Sequence, residues 1–274
     1  QESRVRLEVS LAKLRHNFET IAERVTPAGV VAVLKANAYG LGVRPIAKLL
    51  AGCGAAGFGV AEVNEALELT GLGLPVRILG NLLPGEIEAA VANDIICPVC
   101  DLEGAERLNA EAARQNKNIR IQIAVDTGMG RLGFRYETAL PQILKLKTYS
   151  NLTPFGIFSH CPVAYSKYDS FTALQIERFK QLIASLQENG MTFVERHMAA
   201  SDAINNFPAS TLAPFNMVRT GINLYGYCDN EVAHTMDLQG VVELKTRLAA
   251  VRKLPAEATI GYGRTYKLRK NTIV

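Results

Sequence analysis

Five short apolar runs in this chain each lead directly into residues able to do covalent, acid–base or anion-binding chemistry. The first ends in Lys35-Ala36-Asn37-Ala38-Tyr39-Gly40. A lysine directly ending a buried strand would be partly desolvated, which lowers its pKa and frees its amine to form a Schiff base. The plain alternative is a lysine that snorkels to solvent. A later run opens into Asp126-Thr127-Gly128-Met129-Gly130-Arg131-Leu132-Gly133, a tight glycine-rich loop presenting one arginine. Ser159-His160, Ala200-Ser201 and Arg219-Thr220-Gly221-Ile222 follow three others. Exposed backbone N–H groups at Ser201, Gly221 and Ile222 would make a nest for a phosphate. Taken singly, Ser-His is a chance dipeptide, and Arg131 or Arg219 could pair with a surface carboxylate. A lysine, two arginines, a histidine and a phosphate nest at successive run ends point together to a phosphorylated cofactor.

The elements that must position these groups follow from periodicity. Strands are predicted at residues 30–34, 56–61, 76–80, 95–99, 119–125, 154–158, 193–199 and 217–225. Amphipathic helices are predicted between them at 43–52, 62–70, 86–92, 102–115, 138–149 and 171–189, with a weak one near 203–207. Eight strands joined by helical crossovers, apolar on both faces, predict a closed (β/α)8 TIM-type barrel, with a doubly wound open sheet as the alternative. Such barrels carry their chemistry at the carboxyl ends of the strands, where all five clusters fall, and commonly hold phosphate after strands 7 and 8. Residues 4–9 alternate like a half-exposed strand, and Ser10 is placed to cap a helix over 11–25. Residues 241–252 read as a further strand before the glycine-rich Ile260-Gly261-Tyr262-Gly263-Arg264. The expected division is a barrel over 10–235 and the strands of an incomplete β-rich second domain over 1–9 and 236–274. The latter is too small to bury a core of its own, so the chain is expected either to be truncated or to lean on a partner.

Composition narrows the function. Of the 274 residues, 48% are hydrophobic and 20% charged, which excludes disorder. A net charge of +4, dispersed along the chain, lacks the basic footprint of a nucleic-acid binder. No apolar stretch approaches the roughly 20 residues that span a bilayer. The chain starts at Gln1 without a charged-then-apolar leader, so its start reads as a processed or cut end. Five cysteines, Cys53, Cys97, Cys100, Cys161 and Cys228, suit reduced thiols and a cytoplasmic setting. Cys97-Pro98-Val99-Cys100 has CxxC spacing, but no second ligand pair appears. The four histidines, His16, His160, His197 and His234, are isolated. Core strand cysteines, with no metal, are expected.

Lys35-Ala36-Asn37-Ala38-Tyr39-Gly40, the Asp126–Gly133 segment, Arg219-Thr220-Gly221-Ile222 with Leu224-Tyr225-Gly226, and Gly261-Tyr262-Gly263 closely resemble the alanine racemase family, in order and over essentially the whole chain. The resemblance implies a barrel-plus-β-domain enzyme using pyridoxal 5′-phosphate (PLP), with Lys35 holding the cofactor covalently. Tyr39, Ser201, Gly221 and Ile222 would contact its phosphate. Arg219 would face the pyridine nitrogen, Arg131 would meet the substrate carboxylate, and His160 would support Tyr262. Two bases, Lys35 and Tyr262, would act on opposite faces of the substrate Cα. Tyr262 would serve the partner's site in a homodimer, and His160 and Arg131 would be the cations that draw its phenol toward the anion. Such an enzyme would interconvert L- and D-alanine and supply D-alanine for the cell wall.

The chain also departs from the family. Ala124 stands where many relatives have a carbamylated lysine, and Ala200 where an asparagine is common. Cys161-Pro162-Val163-Ala164-Tyr165 lacks the usual small and acidic residues, and relatives run on past residue 274. Alternatives are a serine or broad-specificity racemase, a non-catalytic PLP-carrier barrel, and an amino-acid decarboxylase on the same barrel. Gly261-Tyr262-Gly263 favours a racemase, since a carrier needs no second base.

Overall fold

The computed structural model describes residues 3–229 and 235–274; His234 lies outside the described residues. The chain divides into two units, Ser10–Val241 and the two end segments Gln1–Val9 and Val242–Val274. The barrel of the larger unit is formed by eight parallel strands, β1 (Gly29–Val33), β2 (Gly57–Val60), β3 (Val76–Ile78), β4 (Cys97–Val99), β5 (Ile119–Asp126), β6 (Leu152–Phe158), β7 (Glu195–His197) and β8 (Met217–Thr220), and a short extra strand, Phe134–Arg135, pairs with β5 off that path. They pair in the order β3-β2-β1-β8-β7-β6-β5-β4. A parallel bridge between Arg77 and Ile96 brings β3 and β4 together, with Ile96 N–H donating to Val76 O at 2.9 Å. The result is the expected (β/α)8 barrel.

Sequence chemistry explains the crossovers. Ser10 Oγ accepts from Lys13 N–H and starts the helix Leu11–Val25, which buries Leu14, Phe18 and Ile21. Asp101 and Asp169 cap Leu102–Arg114 and Ser170–Glu188 in the same way. The last strand is shorter than its apolar run suggests. Gly221 (φ −123°, ψ −88°) breaks the extended backbone, and Ile222–Tyr225 forms a 3-10 turn. Among the described residues no helix is long and apolar enough to cross a membrane. Cys97 and Cys100 are free and buried at β4, and burial pushes both thiols up to about 12, so the CxxC spacing is core packing.

The barrel interior also holds a buried ion pair. Arg77 on β3 donates to both carboxylate oxygens of Glu195 on β7, at 2.5 and 3.1 Å. Glycine at 57 makes the room: a Cβ there would lie 2.7 Å from Arg77 Nη2.

The smaller unit is built of strands. Val5–Val9 pairs antiparallel with Val242–Thr246, Lys253–Leu254 pairs antiparallel with Thr272–Ile273, and within the segment they enclose Thr259–Ile260 pairs antiparallel with Tyr266–Lys267. The strand expected over 241–252 therefore ends at Thr246. Val5, Leu7 and Leu244 share the exposed apolar face of the ribbon.

Candidate functional site

The carboxyl ends of the barrel strands surround a cavity of about 390 Å³ lined by Lys35, Tyr39, Arg131, His160, Ser201, Arg219, Gly221 and Ile222. Eight of the nine residues singled out by sequence therefore meet in one place. The ninth, Tyr262, sits in the turn Tyr262–Arg264 of the smaller unit with its side chain fully exposed.

Lys35 follows β1 and begins an unusual turn. Ala36, Asn37, Ala38 and Tyr39 have φ between 52° and 59°, a single left-handed turn of non-glycine residues. Each such residue costs on the order of 1 kcal/mol, so the surroundings must hold it. Asn37 Oδ1 accepts from Val43 N–H at 2.8 Å. Glu65 accepts from Ala36 N–H at 2.5 Å and from Ala61 N–H at 2.7 Å. Lys35 is exposed, with Nζ 5.9 Å from the centroid of the Tyr39 ring. The lysine stands at the mouth of the cavity, where it was expected, without the burial that was expected with it.

Tyr39 packs on Tyr225 with centroids 5.1 Å apart, and burial pushes the Tyr39 phenol up. Its hydroxyl lies against Gly221, where any Cβ would collide with it. Gly221 N–H, expected to face a phosphate, instead donates to Ser201 Oγ at 3.1 Å, and Asn223 N–H to the same oxygen at 3.5 Å. A hydroxyl that accepts twice keeps its own hydrogen to donate, so Ser201 O–H and Tyr39 O–H become anion donors beside Ile222. A cradle that a single Cβ at Gly221 would fill, rimmed by two hydroxyls, suits a phosphate group.

Arg219 on β8 forms the floor. It is buried, and its guanidinium donates to Ser159 O at 2.6 Å, to His197 O and Met198 O at 3.2 Å, and to Nδ1 of His197 at 2.6 Å and of His160 at 3.4 Å. Burial brings Arg219 down to about 10, so it stays charged at neutral pH. Burial, reinforced by Arg219, Arg131 and Lys35, pulls His160 down to about 3. His160 is thus neutral, not the cation expected from the sequence, because it is buried and, in addition, sits among three positive groups.

Asp126 organises the Arg131 loop by accepting from the N–H groups of Gly128 and Gly130. Thr127 shares a hydrogen bond with Ser159 at 2.8 Å, Gln175 donates to Thr127 Oγ1 and His160 O, and Arg178 donates to Thr127 O. Among the described residues Arg131 has no ion-pair partner. Ala124 is packed with Cys100, Phe158 and Leu132, so no anion-bearing side chain stands there. Sequence reasoning missed Glu65, His197, Thr127 and Gln175. Only Glu65 carried a signal, an acidic residue three positions after the N-cap of a short helix.

The geometry agrees with what the chain resembles. Residues 9–229 match the family model described as alanine racemase, N-terminal domain. The alanine racemase of Carboxydothermus hydrogenoformans is 37% identical over 97% of this chain and 73% of its own length. That of Methanococcus maripaludis is 35% identical over 97% of this chain and 72% of its own. Among solved structures, alanine racemase of Clostridium difficile 630 superposes with a TM-score of 0.89 at 28% identity, over 99% of this chain and 72% of that one. Alanine racemase of Bartonella henselae with covalently bound pyridoxal phosphate does so with a TM-score of 0.84 at 26% identity, over 99% and 74%.

Proposed function

This chain belongs to the alanine racemase family, and from that premise we propose that its cavity holds PLP and interconverts L- and D-alanine. The observation that carries the reading is the convergence of Lys35, Arg219 and the Tyr39–Ser201–Gly221 cradle on one cavity of cofactor size. An amine for the aldehyde, a cation for the ring nitrogen and donors for the phosphate are the three recognition elements this cofactor needs.

Bound PLP supplies an electron sink that acidifies the Cα–H of an amino acid joined to it. The remaining work belongs to side chains. Lys35 Nζ removes or returns the Cα proton on one face, and the phenolic oxygen of Tyr262 does so on the other. An unperturbed phenol has a pKa of about 10, and neutral His160 offers no charge to lower it, which leaves Arg131 for that task. Arg131 also holds the substrate carboxylate. Arg219, charged and already donating to three carbonyls, would hold the ring nitrogen by a hydrogen bond while keeping its own proton, because it is too weak an acid to transfer one. We further propose a cytoplasmic homodimer in which Tyr262 serves the partner's site, with D-alanine delivered to peptidoglycan synthesis.

Chiral analysis of L-alanine and L-serine incubated with the protein and PLP tests the reading. Accumulation of D-alanine, lost in Lys35→Ala together with the yellow absorbance near roughly 420 nm that the cofactor brings, is the expected result. Protein that stays colourless with PLP would overturn it, and faster inversion of serine would move the substrate assignment to the neighbouring specificity.

A further inference from the structure

We infer that Glu65 is a positioning residue for Lys35: its carboxylate clamps the backbone that follows Lys35 to the end of β2 and so presets the lysine for the cofactor aldehyde. The inference rests on the reading above that Lys35 takes PLP. Glu65 projects from the short helix Val63–Leu67, and its two oxygens accept from two separate chain segments. One is Ala36 N–H, at 2.5 Å, which belongs to the peptide plane directly after Lys35 and therefore fixes ψ of the lysine itself. The other is Ala61 N–H, at 2.7 Å, just beyond β2.

The clamp is needed because of what it holds. Four successive non-glycine residues in the left-handed region are unstable by themselves and relax toward ordinary backbone when released. That relaxation would turn the Lys35 amine away from the cavity. Only a carboxylate suits this position. Both partners are N–H donors, so each needs an acceptor, and charge-assisted bonds are the strong ones. A glutamine satisfies one donor and sets its own NH2 against the other. A residue serving merely as a helix cap would bond the N–H of the N-cap residue Glu62, which Glu65 does not do.

The test compares wild type, Glu65→Gln and Glu65→Ala. PLP itself is the probe, with borohydride trapping on Lys35 read by mass, alongside amide hydrogen exchange of the cofactor-free proteins. Trapping is expected to need at least tenfold more PLP in both variants, and the amide of Ala36 to exchange at least tenfold faster, while the bulk barrel amides keep their protection. Glu65→Gln keeps the side-chain volume and carries the test if Glu65→Ala does not fold. Folded variants that trap PLP at the wild-type concentration, or an Ala36 amide already unprotected in wild type, would overturn the clamp. Wild-type protein that traps no PLP would sink the cofactor reading instead, and the Ala36 amide would still decide whether the clamp exists.

Discussion

Arg219 Nη1 donates to His197 Nδ1 at 2.6 Å inside the barrel, where both side chains are buried. A guanidinium has donors only, so the His197 nitrogen that faces it must be bare and its ring proton must sit on Nε2. The same reasoning applies to His160, whose Nδ1 lies 3.4 Å from Arg219 Nη2. One buried cation thus fixes the tautomer of two imidazoles and forbids either a second proton. Phe158 stacks on His197 at 5.6 Å and lies under the guanidinium, which holds the pair in register with the cavity floor.

A pH dependence of stability follows from that arrangement. His160 falls to about 3 in the folded protein, and His197 also lies well below the ordinary value of 6.5, through burial first and Arg219 second. Below pH 6.5 the unfolded chain takes up protons that the folded one refuses. Their contribution is therefore fully present above that pH and is lost as pH falls toward 3. The slope rises from half of about 1.4 kcal/mol per pH unit for each histidine at pH 6.5 toward that full value, so roughly 3 kcal/mol disappears between pH 6.5 and 5. Urea unfolding across that range measures it, and His160→Asn should remove about half of the slope. Equal slopes in wild type and variant would show that His160 is not held neutral.

The cradle makes a second prediction. Gly221→Ala drives a methyl group into the Tyr39 hydroxyl, which lies where that methyl must go. Overpacking of this kind costs about 1–3 kcal/mol. Tyr39→Phe removes the colliding oxygen, so the stability cost of Gly221→Ala should shrink by at least half in that background. Thermal unfolding of the four proteins of this cycle gives the coupling, and strictly additive losses would place the Tyr39 ring elsewhere.

The barrel was legible because most of its strands are apolar runs buried on both faces, as β2 and the buried stretch of β5 before Asp126, apolar but for Gln122, illustrate. Ser10, Asp101 and Asp169 marked helix starts by local chemistry that needs no tertiary knowledge. That eight of the candidate residues line one cavity was legible because strand ends converge in such a barrel and because the lysine segment and the glycine-rich loop resemble a family's. What periodicity could not convey was the left-handed turn after Lys35, since alanine, asparagine and tyrosine carry no preference for positive φ sufficient to announce it. Nor could it convey the neutrality of His160, which depends first on burial and then on three cations contributed by separate parts of the chain.

The pair Arg77–Glu195 gives a third prediction. Burial pushes the arginine down and the carboxyl up in spite of their attraction, so desolvation outweighs the Coulomb gain. Arg77→Met strands a buried carboxylate and should cost about 3–5 kcal/mol, whereas Arg77→Met with Glu195→Leu should recover most of that loss. Denaturant midpoints decide it. A double variant as unstable as the single one would mean that the pair supplies more than mutual neutralisation.

The last prediction concerns Tyr262, whose exposed side chain lies in a turn flanked by Gly261 and Gly263 at positive φ. Because the ring is exposed in its own unit, Tyr262→Phe should change unfolding stability by less than about 0.5 kcal/mol, so any catalytic loss is chemical. If Lys35 and Tyr262 serve opposite faces of the substrate, the variant keeps one base and loses the other. Exchange of the Cα hydrogen with deuterated water should then survive within about tenfold for one enantiomer of alanine and fall by two or more orders of magnitude for the other, since a positioned base contributes about 10²–10⁴. Mass spectrometry of each recovered enantiomer reads this out. Exchange retained from both hands would remove Tyr262 from the mechanism, and equal suppression of both would mean that it does not serve one face alone.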